Sequence, residues 1–381
     1  MANVLTDLAA DIYKAVDVVA REQVGFIPAC TINGSASERV AVGGTVRSAF
    51  TRPATAVDNV PSMTIPEGTD QTVDNKTATI TKSKGVQIPW TGEDILSVNN
   101  GMGFETIYGD QIAQAMRTLA NEIEADLWAE AYKNASRAVG TAGTTPFASN
   151  HNVINQARQI LVDNGVPGIN GNVSLVMNTL AGTNLRNLSN LYKVNEAGSD
   201  SLLRQGVLQD ISGVMLRESA GVGIHTKGTG TGYLVNGALA IGDSTVTADT
   251  GSGTLLKGDI ITFAADSANK YVANSALAGG SFDLGEPGLL AAIADNNAIT
   301  IGNSYTANVM FHRAALELII RPPAMPNGGD AATDAMIVQD PRSGLVFEIR
   351  FYKGFQKTML NVSVAWGYKC WMPKYVALVA G

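Results

Sequence analysis

Residues 104 to 137, FETIYGDQIAQAMRTLANEIEADLWAEAYKNASR, decide the architecture. Tyr108, Ile112, Met116, Leu119, Ile123, Leu127 and Ala131 recur at threes and fours and so share one face of an amphipathic helix. At 1.5 Å per residue the stretch would span roughly 50 Å, about three times the mean globular helix, with neither Gly nor Pro after Asp110 to break it. Such a rod predicts an extended spine with appendages. That is the shape of a building block for an assembly rather than of a compact enzyme.

The flanks point the same way. Upstream, Pro53, Pro61 and Pro66 punctuate a polar stretch. In TVDNKTATITKSKGVQIPW, Val73, Asn75, Thr77, Thr79 and Thr81 alternate with Asp74, Lys76, Ala78, Ile80 and Lys82, and neither face is apolar enough for a core. Residues 36 to 89 are therefore expected to project as a two-stranded arm that a partner subunit orders, since an isolated hairpin is marginal. Residues 4 to 24 predict a helix striped by Leu5, Leu8, Ile12, Val16 and Val19, capped by Asn3 and stopped by Gly25 and Pro28. It either packs on its own domain or docks on a neighbour.

Downstream, residues 151 to 217 alternate as an α/β unit. Helices are expected over Asn152 to Leu161, ending at Asn164 and Gly165, and over Leu180 to Leu191 with Thr179 as cap; strands are expected at Val173 to Met177 and Val207 to Leu216. From residue 226 helical periodicity disappears for about eighty residues, and short β-branched runs between Gly, Asp and Asn turns predict an inserted barrel or sandwich. FHRAALELIIRPPAMP then reads as a short apolar helix closed by Pro322 and Pro323. The last segment predicts a hairpin, with Leu345, Phe347, Ile349 and Phe351 opposite Leu360, Val362, Val364 and Trp366.

Composition excludes several classes of function. A formal charge of -7 and no basic cluster beyond Lys82 and Lys84 argue against a protein that grips nucleic-acid phosphates. Cys30 and Cys370, at opposite ends of the chain, form no disulfide framework or clustered metal site. No signal peptide is visible, and no run approaches the ~18 apolar residues of a membrane span. His151, His225 and His312 each lack a second ligand at metal spacing, Gly228, Gly230 and Gly232 precede no Lys-Ser/Thr, and no nucleophile elbow occurs. No catalytic residue, cofactor or metal is expected. Glu93 and Asp94 are read as pinning a turn after Trp90. Glu122, Asp126 and Glu130, spaced by fours, form an acidic ridge whose default reading is a solvated face with Lys133 and Arg137 as local partners.

IPEGTDQTVDN, IPWTGEDIL, GFETIYGDQIAQAMRTLANEIEADL, SLVMNTLAGTNLR, FHRAALELIIRP and the terminal YKGFQ and VSVAWGYKCWMPKYVALV resemble, in order, the major capsid (coat) protein of short-tailed phages of the Salmonella podovirus type. The resemblance implies an α+β Hong Kong 97-like phage capsid fold. Its parts would be an N-terminal arm at 1–35, an extended loop at 36–89, a peripheral domain with the spine helix at 90–145, an axial domain at 146–225, a small inserted β-barrel domain at 226–306, and a return through both domains with the C-terminal hairpin at 307–381. It implies hexamers and pentamers of an icosahedral shell of about the T = 7 class, built on a scaffolding protein and a portal protein in the bacterial cytoplasm and expanded as a virion around double-stranded DNA that is enclosed without specific binding. In shells of this fold the arm crosses a neighbour, so Lys82 and Lys84 are expected to meet Glu122, Asp126 and Glu130 of another copy. The competing reading is an extracellular surface-layer or carbohydrate-binding protein, motivated by the Gly/Thr/Asn-rich insert.

Overall fold

A computed structural model describes residues 12–19, 25–50, 56–65, 74–99, 104–193, 210–340 and 344–381. The expected cap at Asn3, Leu5 and Leu8 of the first stripe, Val73, and residues 207–209 of the strand expected at Val207 to Leu216 lie outside these residues. The described rest of that stretch is not the expected strand: Ser212 and Gly213, at φ +54° and +75°, turn the chain, and the strand runs Met215–Glu218. The helices are α1 (residues 12 to 19), α2 (Gly92–Asn99), α3 (Phe104–Lys133), α4 (Asn152–Asp163), α5 (Thr179–Arg186) and α6 (Ser189–Tyr192). α3 is the expected spine: its 30 residues span about 45 Å, and all seven residues of the predicted stripe are buried. It stops at Lys133 rather than Arg137 because the chain from Arg137 is taken into a sheet.

α3 packs on a six-stranded sheet of order β1 (Thr31–Gly34), β16 (Leu316–Arg321), β19 (Lys357–Cys370), β18 (Val346–Gly354), β17 (Ala332–Gln339), with β4 (Lys82–Thr91) also paired to β19. The predicted hairpin is in register, Ile349 opposite Val362 and Phe351 opposite Leu360. The helix expected from FHRAALELIIRPP is instead a strand, a 3₁₀ turn at Arg313–Ala315, and β16. All six residues of β16 are buried, because it runs between β1 and β19 under α3; burial on both faces removes the alternation that identifies a strand. Ile12, Ala15, Val16 and Val19 of α1 join this same core. Of the two readings of the N-terminal helix, its described part therefore takes the first, packing on its own body.

The arm root departs from expectation. β2 (Thr45–Phe50) and β3 (Asp74–Thr79) do form a two-stranded ribbon, but Ala78 and Ile80 are buried against Ile319 and Ala365, and β4 continues into the main sheet. The face judged too polar for a core is seated because the chain crosses β19 at Gly367, where a Cβ would lie 2.3 Å from the Thr79 carbonyl oxygen.

The second sheet has nine strands, in the order β14 (Ile299–Ile301), β11 (Ile260–Phe263), β12 (Asp266–Val272), β5 (Arg137–Gly140), β20 (Val376–Ala380), β15 (Tyr305–His312), β6 (Val173–Met177), β7 (Met215–Glu218), with β8 (Ile224–His225) on β15. α4 and α5 cover it through Ile154, Leu161, Ala181 and Leu185, packed with Leu175, Met310 and Val379. α4 ends as predicted at Asn164, followed by Gly165 at φ +77°. The α5 cap is Asn178 rather than Thr179, its side chain accepting from the Ala181 N–H at 2.8 Å.

Residues 226–306 hold a core of their own around Tyr233, Val246, Phe263, Tyr271 and Phe282. It lies between the three-stranded sheet β13 (Ser281–Asp283), β10 (Thr245–Asp249), β9 (Leu234–Val235) and the β11, β12, β14 end of the large sheet. The ends of this stretch lie close together, with the Lys227 N–H 3.2 Å from Ser304 Oγ. It is not a closed barrel: β12 pairs with β5, Tyr271 opposite Arg137, so the sheet runs on into the body.

Candidate functional site

The five residues expected to carry contacts between copies lie on α3 and β4. Because β4 runs antiparallel to β19, with Lys82 opposite Trp366, its first residues come to rest over α3. Lys82 Nζ is 2.8 Å from Asp126 and 3.3 Å from Glu122, and Lys84 also pairs with Glu122. Burial pulls the Lys82 ammonium down, but the hydrogen bonds to Asp126 and Glu122 outweigh it and leave the group above the ordinary lysine range. Burial likewise pushes Glu122 up, and the two lysines more than reverse it. Both lysines thus close on the acidic ridge of their own chain.

Nor is the ridge a solvated face. Asp126 also accepts the indole N–H of the buried Trp366 at 2.9 Å, and Glu130 accepts the Cys370 N–H at 3.1 Å. Lys133 and Arg137 serve it little: Lys133 lies over the Tyr132 ring at 5.6 Å and Arg137 donates to Asn164 at 3.2 Å. Asp94 pins the turn after Trp90, accepting from the Thr91 N–H and hydroxyl at 3.2 and 2.6 Å.

The histidines are separate. His151 precedes α4 without capping it. His312 Nδ1 accepts from the Ala314 N–H at 3.2 Å and caps the 3₁₀ turn. His225 is buried, 2.8 Å from Asp259 through Nε2 and 3.4 Å from the Tyr132 hydroxyl through Nδ1. Asp259 also accepts from the N–H groups of Gly228 and Leu256, so the GTGTG stretch contributes a backbone donor to a structural carboxylate. Among the described residues no group of three or more His, Cys, Asp or Glu could hold a metal. None of their helices is long and apolar enough to cross a membrane.

Sequence reasoning missed the buried carboxylates, among them Glu348, Asp259 and Glu124. Glu348 is gripped by Arg39 at 2.5 and 3.0 Å and by Arg350 at 2.9 Å; Asp259 is paired as above; and Glu124 accepts from Phe26, Ile27 and Ser219. The cue for Glu124 was its place on α3 beside the apolar stripe. Its partners, almost a hundred positions away, leave no local mark. The exposed surface is also informative: Val57, Val60, Met63 and Ile65 are each at least 75% exposed, in a described segment, 56–65, with no strand or helix.

No family model and no curated relative matches the chain. Solved structures do. The capsid of cyanophage P-SCSP1u aligns over 94% of this chain and 88% of its own at 10% identity and a TM-score of 0.51. The mature capsid of bacteriophage PhiM1 aligns over 94% and 87% at 9% identity and a TM-score of 0.48, and a Mycobacterium phage Che8 structure over 88% and 84% at 14% and 0.46. The match to the cyanophage capsid defines the fold class: a mixed α+β chain of the Hong Kong 97-like capsid fold.

Proposed function

We propose that this chain is a major capsid protein. Copies assemble as hexamers and pentamers into an icosahedral shell of about the T = 7 class around double-stranded DNA, through a procapsid guided by a scaffolding protein, joined by a portal protein and later expanded. On this reading it is made in a bacterial cytoplasm, ends in the virion, has a structural rather than catalytic role, and is of the Salmonella short-tailed type that its sequence segments resemble. The observation that carries the proposal is the near full-length match of fold to the cyanophage capsid chain. The six-stranded sheet with α3 would be the peripheral domain, the nine-stranded sheet with α4 and α5 the axial domain, and residues 226–306 the insert.

Two features support the assignment. The apolar row Val57, Val60, Met63 and Ile65 stands open on the arm, which suits a segment that a second copy covers. A net charge of -7 suits a container whose wall releases its DNA. Co-expression with a phage scaffolding protein, followed by negative-stain electron microscopy, tests the proposal. Closed shells are expected. Dispersed monomers that bind glycan would instead support the surface-layer reading.

A further inference from the structure

Glu124 projects from α3 into a site where its side chain is almost wholly enclosed. One carboxylate oxygen accepts the Phe26 N–H at 2.6 Å and the Ser219 hydroxyl at 3.0 Å, and the other accepts the Ile27 N–H at 3.0 Å. The fit admits nothing more on either side. A Cβ on Gly25 would lie 1.7 Å from the carboxylate, and one on Gly221 would lie 3.3 Å from the Glu124 side chain.

The next two turns of α3 engage the same strap, residues 219–225. Trp128 donates its indole N–H to the Ala307 carbonyl at 2.9 Å, and its ring lies 3.0 Å from where a Gly223 Cβ would stand. Tyr132 meets His225. Residues 124, 128 and 132 share one helical face by their spacing, so a single row on the spine holds the strap that leads into residues 226–306.

We propose that Glu124 joins the N-terminal segment 25–30 and the strap 219–225 into one cooperative clasp, so that displacing either segment loosens the other. The three donors to one buried carboxylate come from two segments nearly two hundred positions apart. If either leaves, a charged group stays enclosed with too few partners, a state that favours opening of the whole site. Burial already pushes this carboxyl above the ordinary glutamate range, and the donors with Arg217 only partly offset it, so each lost donor counts. The clasp stands independently of the capsid reading. It would transmit a movement of the N-terminal segment to the base of residues 226–306.

Hydrogen exchange followed by mass spectrometry on the full chain tests the coupling. Gly25→Ala drives a methyl against the Glu124 carboxylate and, 2.9 Å away, against Ser219 Cβ, so it strains both segments at once, and Ser219→Ala separates coupling from direct clash. Exchange should accelerate about tenfold or more in peptides covering 219–225 as well as 25–30, with α4 unchanged. Ser219→Ala removes the strap's donor to Glu124 together with a bond inside the strap, from the Gly221 N–H. It breaks no hydrogen bond of 25–30 directly, and should accelerate exchange at Phe26 and Ile27. Acceleration confined to the mutated segment, in either variant, overturns the proposal.

Discussion

At the scale of single residues, the buried polar groups separate interactions that hold the fold from those that decorate it. Asp126 serves both Lys82 and the enclosed indole of Trp366. Asp126→Ala leaves that N–H without an acceptor and should cost about 1 to 3 kcal/mol in urea unfolding. Lys82→Ala removes a partly exposed ion pair and should cost less than about 1 kcal/mol. The reverse order would mean that the ion pair, not the indole bond, holds β4 on α3. His312 gives a pH dependence of definite sign. Burial holds it below the ordinary value of 6.5, and its Nδ1 must stay unprotonated to cap the turn. As pH falls through about 6.5 the unfolded chain takes up the proton first, so this contribution to stability is complete above that pH and is lost toward the depressed folded value. Between pH 7.5 and 5.5 the urea midpoint should fall less steeply in His312→Asn, which keeps a capping acceptor without titrating. Equal slopes would remove His312 as the cause.

At the scale of elements, the informative cases are those where the same residue types gave the opposite structure. The α3 stripe and the β18–β19 hairpin each bury one face, so their periods of about 3.6 and 2 show in the sequence. β16 buries both faces and has no period to show. The arm root was misread because Ala78 and Ile80 are two small contributions to a core assembled mainly from β16 and β19. If they anchor the arm, Ile80→Ala should cost about 2 to 4 kcal/mol, whereas Thr77→Ala on the exposed side of β3 should stay within about 0.5 kcal/mol. Thermal unfolding of the pair decides it. A loss no larger at Ile80 than at Thr77 would mean the arm root is not seated.

At the scale of the whole molecule, the arm divides stability from assembly. Val60 and Met63 are exposed and support no core of this chain, so Val60→Asp with Met63→Asp should leave the unfolding midpoint within about 0.5 kcal/mol of wild type while preventing closed shells. Unchanged shells in sedimentation and microscopy would show that the row is not an inter-copy surface. By itself the sequence determined the spine, α4, β6, the closing hairpin and the turn-rich character of residues 226–306, because each follows from local periodicity or from Gly and Pro that restrict the backbone. Only the tertiary structure decided that Leu316–Arg321 is a strand, that Lys82 and Lys84 close on the ridge of their own chain, and that Glu124 and Asp259 find their donors. Those outcomes depend on strand pairing and enclosure between segments 34 to almost 300 positions apart, and a burial that is complete on every side, or a partner that is distant in the chain, imposes no pattern on the residues nearby.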